Sequence, residues 1–218
     1  MPLPEGYTAD ARKSSAAPIE PEPANLASAA VTSRVAIFGG SFNPPHVAHA
    51  LACAWVLSVE DVDRVVVIPT FRHPFAKSLA PFEDRLAMCE LAMAWIPGVE
   101  VSDVEAELGG ESRTLHTLEY LANSHPDWQL RLVIGSDILG EAHRWYGFDA
   151  IAALAPPIVL GRAGVDGANA PAPLLPEISS TQIRALIASE SWEALHPLVP
   201  KRVLEYARAH GLYGSKPE

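Results

Sequence analysis

The 218-residue chain has only two cysteines, Cys53 and Cys89. Both fall within helical patterns and neither has metal-ligand spacing. A disulfide framework is therefore excluded, and both read as small core residues in a reducing compartment. Long apolar runs are also missing, since none approaches the ~18 residues of a membrane span. Basic residues are scarce: 16 Lys and Arg against 26 Asp and Glu leave a net charge of −10 with no basic block. That balance excludes a nucleic-acid or acidic-membrane surface. Small anionic substrates remain compatible, because amides, arginines and a metal hold them locally. The first 30 residues lack the apolar segment of a signal peptide, and their Pro, Ala, Ser and Glu content reads as a disordered tail. Residues 31–218 are expected to form one domain, with 49% hydrophobic and 19% charged content typical of a globular protein. The expectation is a cytoplasmic protein with no membrane partner. A homo-oligomer is left open. No carboxylate and histidine cluster suggests a protein-bound metal. His73, His125, His143, His196 and His210 have no constellation around them.

From Arg34 onward, strand and helix patterns alternate. Val35–Phe38, Arg64–Pro69, Leu130–Ile134 and Pro157–Leu160 are short apolar strands, and Val99–Val104 is a weaker one. Helical patterns cover His46–Val59, Phe82–Trp95, Thr114–Asn123, the stretch from Ser179 or Ser180 to Ile187, Trp192–Leu195 and Pro200–His210. Apolar spacing in the second helix picks out Leu86, Met88, Cys89, Leu91, Ala92 and Trp95. Gly211 is a stop signal. The alternation predicts an α/β fold, a mostly parallel sheet with helices on both faces. Ligands of such folds bind beyond the carboxyl ends of the strands.

One stretch sits at that edge and carries chemistry: Phe38-Gly39-Gly40-Ser41-Phe42-Asn43-Pro44-Pro45-His46-Val47-Ala48-His49. A strand that stops at two glycines and restarts as a helix gathers backbone N–H groups and a helix dipole at one point, which suits phosphate. His46 and His49, three residues apart, share one face of the first helical turn. Gly39, Gly40 and Ser41 let backbone amides approach an anion. Downstream, Ile178-Ser179-Ser180-Thr181-Gln182-Ile183-Arg184 offers hydroxyls and amides at a helix start, with an arginine one turn in. Ser180, Thr181 and Arg184 thus read as a second phosphate-binding group. The pattern fits phosphoryl or nucleotidyl transfer. It lacks the G-x-G-x-x-G spacing of dinucleotide-dependent oxidoreductases.

The first stretch resembles the G-G-[ST]-F-[ND]-P-x-H-x-G-H signature of nucleotidyltransferases, and Asn43-Pro44-Pro45-His46 is closest to nicotinate (or nicotinamide) mononucleotide adenylyltransferases. Ile178 to Arg184 resembles their I-S-S-T-x-I-R. The resemblance runs from about Arg34 to Tyr213 and implies a Rossmann-like nucleotidyltransferase fold. It also implies adenylyl transfer from ATP to a pyridine mononucleotide, with His46 and His49 the catalytic pair. Phe42 joins the phosphate-binding residues by the same resemblance. Asp137, in Gly135-Ser136-Asp137, stands where the family binds a ribose hydroxyl of ATP. Asn43, Lys77, Thr114, Trp145 and Tyr146 fall on the mononucleotide side, with Trp145 placed to stack on a pyridine ring. Magnesium would arrive with the triphosphate rather than in a dedicated protein site.

Three positions depart from the family pattern. Ala48 replaces the glycine of H-x-G-H, and its methyl is expected to crowd the adenine or ribose at ~1–3 kcal/mol. Arg113 replaces a tyrosine and His116 an aspartate beside the mononucleotide site. They favour a more anionic acceptor or a different one. Two other readings stay open at this point: a transferase with another phosphorylated acceptor such as phosphopantetheine, or a nucleotide-binding homologue that has lost catalysis.

Overall fold

The structure, a computed structural model, describes residues 33–73, 79–136, 145–161 and 175–214, all within the unit Val31–Glu218. Two expected site residues, Lys77 and Asp137, lie outside the described residues, as does the expected tail.

Five strands form the sheet: β1 (Ser33–Gly40), β2 (Arg64–Pro69), β3 (Val99–Val101), β4 (Trp128–Gly135) and β5 (Pro157–Leu160). They are all parallel, in the order β3-β2-β1-β4-β5. The chain thus runs outward from β1 on one side, then crosses back and continues on the other. Such a switch point opens a crevice at the carboxyl ends of the two central strands. The register shows where it opens. β1 pairs with β4 only as far as Ile37 opposite Leu132, yet continues beside β2 to Gly40 opposite Pro69. Meanwhile β4 follows β5 to Gly135 opposite Leu160.

Alternate strand residues face two apolar layers, as the period of two requires. Ala36, Val65 and Val67 pack with α1 (Val47–Val59), α2 (Phe82–Met93), α6 (Ser180–Ala188) and α8 (Lys201–Ala209). Val35, Ile37, Val66 and Ile68 pack on the other face with α4 (Thr114–Ser124) and α5 (Phe148–Leu154). Two short helices, α3 (Val104–Leu108) and α7 (Trp192–Leu195), and a 3₁₀ turn (Leu212–Gly214) complete the described elements.

The sequence pattern missed α3 and α5, one of five residues and one of seven, too short for helical periodicity to register. The strand expected over Val99–Val104 stops at Val101. Arg113 occupies the N-cap of α4. Trp95, expected on the apolar face of α2, lies beyond the helix and is 63% exposed. Arg85 takes a place on that face instead and is 1% exposed. Gly211 has a φ of +61°, the left-handed stop its position foretold. Cys53 and Cys89 are buried free thiols, and burial pushes the Cys53 thiol up to about 12, so it stays protonated and inert at neutral pH.

Candidate active site

β1 delivers Gly39 and Gly40 to the crevice. A Cβ built on Gly39 meets nothing within 4 Å, so that residue faces open space. Gly40 is different: a Cβ there meets the Phe42 ring at 3.1 Å. Its missing side chain lets Phe42 fold back over the strand end. Phe42 is 2% exposed, packs edge-on against Phe38 at 5.5 Å and against His49 at 4.8 Å, and has a φ of +44°. A left-handed phenylalanine is a strained conformation that persists only where its surroundings enforce it. Because its ring is buried, Phe42 offers the crevice only its backbone.

The first turn of α1 is organised by its two histidines. The His46 N–H donates to His49 Nδ1 at 3.1 Å, and the imidazoles stack with centroids 3.7 Å apart. A ring nitrogen that accepts carries no proton, so the N–H of a neutral His49 is on Nε2. The helix's own amides are largely engaged: Val47 N–H donates to the Leu198 carbonyl at 2.9 Å and His49 N–H to that of His46 at 2.9 Å. What α1 presents to an anion is therefore its imidazoles and its dipole, more than the row of amides that the sequence suggested. No acidic residue stands in its first turn.

The second motif meets the first directly. Ser179 caps α6, its side chain accepting from Gln182 N–H at 3.2 Å. Ser180 Oγ donates to the Pro44 carbonyl at 2.9 Å. Arg184 donates through Nη1 to the Asn43 carbonyl at 2.9 Å and through Nη2 to Thr181 Oγ1 at 3.3 Å. The bonds to Pro44 and Asn43 join segments more than 130 positions apart. Guanidinium has five N–H donors, so Arg184 keeps three beyond these two. Asn43 is 3% exposed, and its Oδ1 accepts from Ala80 N–H at 3.0 Å. Its geometry is that of a loop-shaping residue.

Of the mononucleotide-side candidates, Thr114, Trp145 and Tyr146 lie near the start of α4, whereas Asn43 sits apart from them in the loop before α1. Trp145 is half-buried against the second apolar layer, edge-on to Phe148 at 6.2 Å. Tyr146 is exposed, with the Arg113 guanidinium 5.1 Å above its ring and His116 at 6.1 Å. Thr114 opens α4 between these two residues.

Comparison with known proteins decides the family. The Cytidylyltransferase-like family model matches residues 37–186. A probable nicotinate-nucleotide adenylyltransferase of Anaeromyxobacter sp. (strain K) is 51% identical over 185 residues, covering 82% of this chain and 96% of that protein. The chain belongs to the nicotinate-nucleotide adenylyltransferase family. The Myxococcus xanthus (strain DK1622) member is 46% identical, over 84% of this chain and 96% of its own length. The fold is also shared with the Plasmodium falciparum nicotinic acid mononucleotide adenylyltransferase complexed with NaAD, at a TM-score of 0.74 and 18% identity, covering 84% of this chain and 98% of that one.

Against the family pattern, Ala48 looks different from the sequence expectation. It is 5% exposed and packs in the first apolar layer, so its methyl is covered by protein and is not in the open crevice. The crowding expected of it does not follow. Ala48→Gly is expected to leave turnover unchanged and to lower stability by ~1 kcal/mol, through helix propensity and a lost buried methyl. Kinetics beside a urea melt checks this. A gain in turnover would restore the crowding reading. Gly39 carries the opposite expectation. Gly39→Ala puts a methyl into the open space and raises KM for ATP by ~10-fold, on the scale of overpacking. An unchanged melting temperature beside the raised KM would locate the effect in the ligand space, and an unchanged KM would place the nucleotide elsewhere.

Arg85 was missed by sequence reasoning. It donates to the carbonyls of Ser41, Ala80 and Phe71, and burial pulls its pKa below the usual arginine value. The available signal was its spacing: an arginine at i with Met88, Cys89 and Ala92 at i+3, i+4 and i+7 is a charge on an apolar stripe.

Proposed function

We propose that this chain transfers the adenylyl group of ATP to nicotinate mononucleotide, releasing pyrophosphate and forming the dinucleotide of NAD biosynthesis. A phosphate oxygen of the mononucleotide forms a bond to the α-phosphorus as the bond to the bridging oxygen of pyrophosphate breaks. Charge gathers on the non-bridging oxygens, and catalysis consists of alignment and charge stabilisation. His46 and His49 donate imidazole N–H bonds to those oxygens. Gly39, Gly40, Ser41 and the Phe42 amide line the nucleotide side. Arg184, with Ser180 and Thr181 at the start of α6, neutralises the departing β- and γ-phosphates. Trp145 and Tyr146 receive the pyridine ring, and Arg113 and His116 beside Tyr146 favour the acid over the amide. Lys77 and Asp137 keep the roles that the family resemblance implies. The observation that carries the reading is the meeting of the two motifs, with Ser180 and Arg184 bonded to the backbone just before His46.

Magnesium enters with the triphosphate. Among the described residues no group of three or more His, Cys, Asp or Glu side chains is placed to hold a metal. Imidazoles, guanidinium and amides suit the anion, and an ion carried in by the triphosphate would need no protein ligand of its own. When bound it neutralises phosphate charge. Residues 31–218 carry the activity as one domain, and residues 1–30 take no part in it. Among the described residues no helix is long and apolar enough to cross a membrane.

Pyrophosphate release with Mg-ATP and each of nicotinate mononucleotide, nicotinamide mononucleotide and phosphopantetheine tests this reading. Release is expected with the first, weaker release with the second, and none with the third. The chain starting at Val31 should match the full chain. Release with phosphopantetheine alone would replace the acceptor, and silence with all three would remove the activity.

A further inference from the structure

Arg85 is among the largest fully buried side chains of the molecule, yet among the described residues it forms no ion pair with a carboxylate. Burial disfavours its charge more than the nearby Glu105 and Glu83, neither bonded to it, favour it, and an apolar residue of similar volume fills the space at less cost. Its donors therefore have a use that packing does not explain. Nε donates to the Ala80 carbonyl at 2.9 Å, Nη1 to Ser41 at 3.0 Å, and Nη2 to Phe71 at 3.5 Å, the last a weak bond. Ser41 follows β1 directly, Phe71 lies just past β2, and Ala80 comes shortly before α2. One guanidinium thus joins three segments at the carboxyl edge of the sheet. Ala80 is held twice, because its N–H also donates to Asn43 Oδ1.

The Ser41 bond has a consequence for the phosphate loop. In a trans peptide the C=O and the following N–H point in opposite directions. With the Ser41 carbonyl drawn inward to Arg85, the Phe42 N–H is turned away from it, and it finds no acceptor among the described residues. On the far side of Phe42, Arg184 holds the Asn43 carbonyl in the same manner. Two guanidiniums therefore bracket the one residue of this loop with a left-handed φ. The buried Tyr213 hydroxyl has Arg85 and then Arg184 as its largest electrostatic neighbours, so the C-terminal turn sets a neutral phenol beside both cations.

We propose that Arg85 is a positioning residue for adenylyl transfer, holding the Ser41–Phe42 peptide so that the Phe42 N–H is aimed at the triphosphate. This rests on the reaction proposed above. It assigns Arg85 no contact with substrate; Arg85 acts through the loop it holds. Lysine offers one ammonium in place of a fork, so it can reproduce one of the three bonds but not their geometry.

The test uses the full chain with Arg85→Met and Arg85→Lys, measured well below each variant's melting temperature and normalised to folded protein. Arg85→Met is expected to lower kcat by ~10–100-fold, the scale of a misplaced donor, with KM for the mononucleotide unchanged. Arg85→Lys should fall between methionine and wild type. A purely structural role would lower the melting temperature of both variants and leave kcat per folded molecule at the wild-type value, and that result overturns the proposal. Should the methionine variant not fold, the lysine variant decides alone: wild-type kcat rejects the positioning role, and a reduced kcat at unchanged mononucleotide KM supports it. Should the wild-type chain transfer no adenylyl group, the reaction itself is refuted, and calorimetric Mg-ATP affinity takes the place of kcat. Weaker affinity in Arg85→Lys would then retain Arg85 as organiser of the loop, and equal affinity would reject it.

Discussion

His46→Ala or His49→Ala is expected to lower turnover by at least ~100-fold, the scale of losing one donor to a developing oxyanion. The two variants should differ in a second property. His49 does two things: Nδ1 accepts from the His46 N–H, and that bond leaves the ring proton on Nε2. His49→Ala therefore also leaves an amide at the start of α1 without its acceptor, and should lower stability by ~0.5–2 kcal/mol, as lost caps do. Its ring packs against Phe42 as well, so the loop loses one wall. The nearly parallel stack of the imidazoles makes each the neighbour that orients the other. The double variant should accordingly lose less than the product of the single losses. Steady-state pyrophosphate release with calorimetric ATP affinity is the measurement. Turnover near wild type in either single variant would remove that histidine from the mechanism.

The second large effect is expected at Arg184. Read as a triphosphate ligand alone, Arg184→Ala should raise KM for ATP and leave kcat nearly unchanged. The structure adds that Arg184 holds the Asn43 carbonyl, three residues before His46. The substitution should then raise KM and lower kcat, for a combined ~100-fold fall in kcat/KM for ATP, a charge-assisted bond and its alignment lost together. Arg184→Lys keeps the charge and loses the fork, so KM should recover more than kcat. Unchanged KM in Arg184→Ala would end its assignment to the phosphates, and unchanged kcat would end its hold on the loop.

Most helix starts and stops, the two glycines that end β1 and the paired histidines were legible because each signal lies within a few residues of its effect. A glycine pair after a β-branched run, or an arginine one turn into a capped helix, has the same meaning wherever the chain goes next. The same locality explains the errors. α3 and α5 are too short to show a period, and Trp95 was assigned to a helix that ends two residues earlier. The motif position of Ala48 says which face of α1 it occupies but not what covers that face.

The alternating α/β order, the place of the Gly39–Pro45 segment at a strand's carboxyl end and the pairing of His46 with His49 are all written locally in the chain. Those follow from side-chain period, backbone permissiveness and local spacing. What each group holds is set by the packed fold. That the second motif grips the first, 141 positions apart for Arg184 and Asn43, follows from α6 packing its Ile183 and Ile187 into the same apolar layer as α1. That Arg85 points inward at three carbonyls follows from the packing of α2 against the same edge. A charged side chain looks alike on paper whether water or a backbone carbonyl satisfies it, and burial alone tells the two apart.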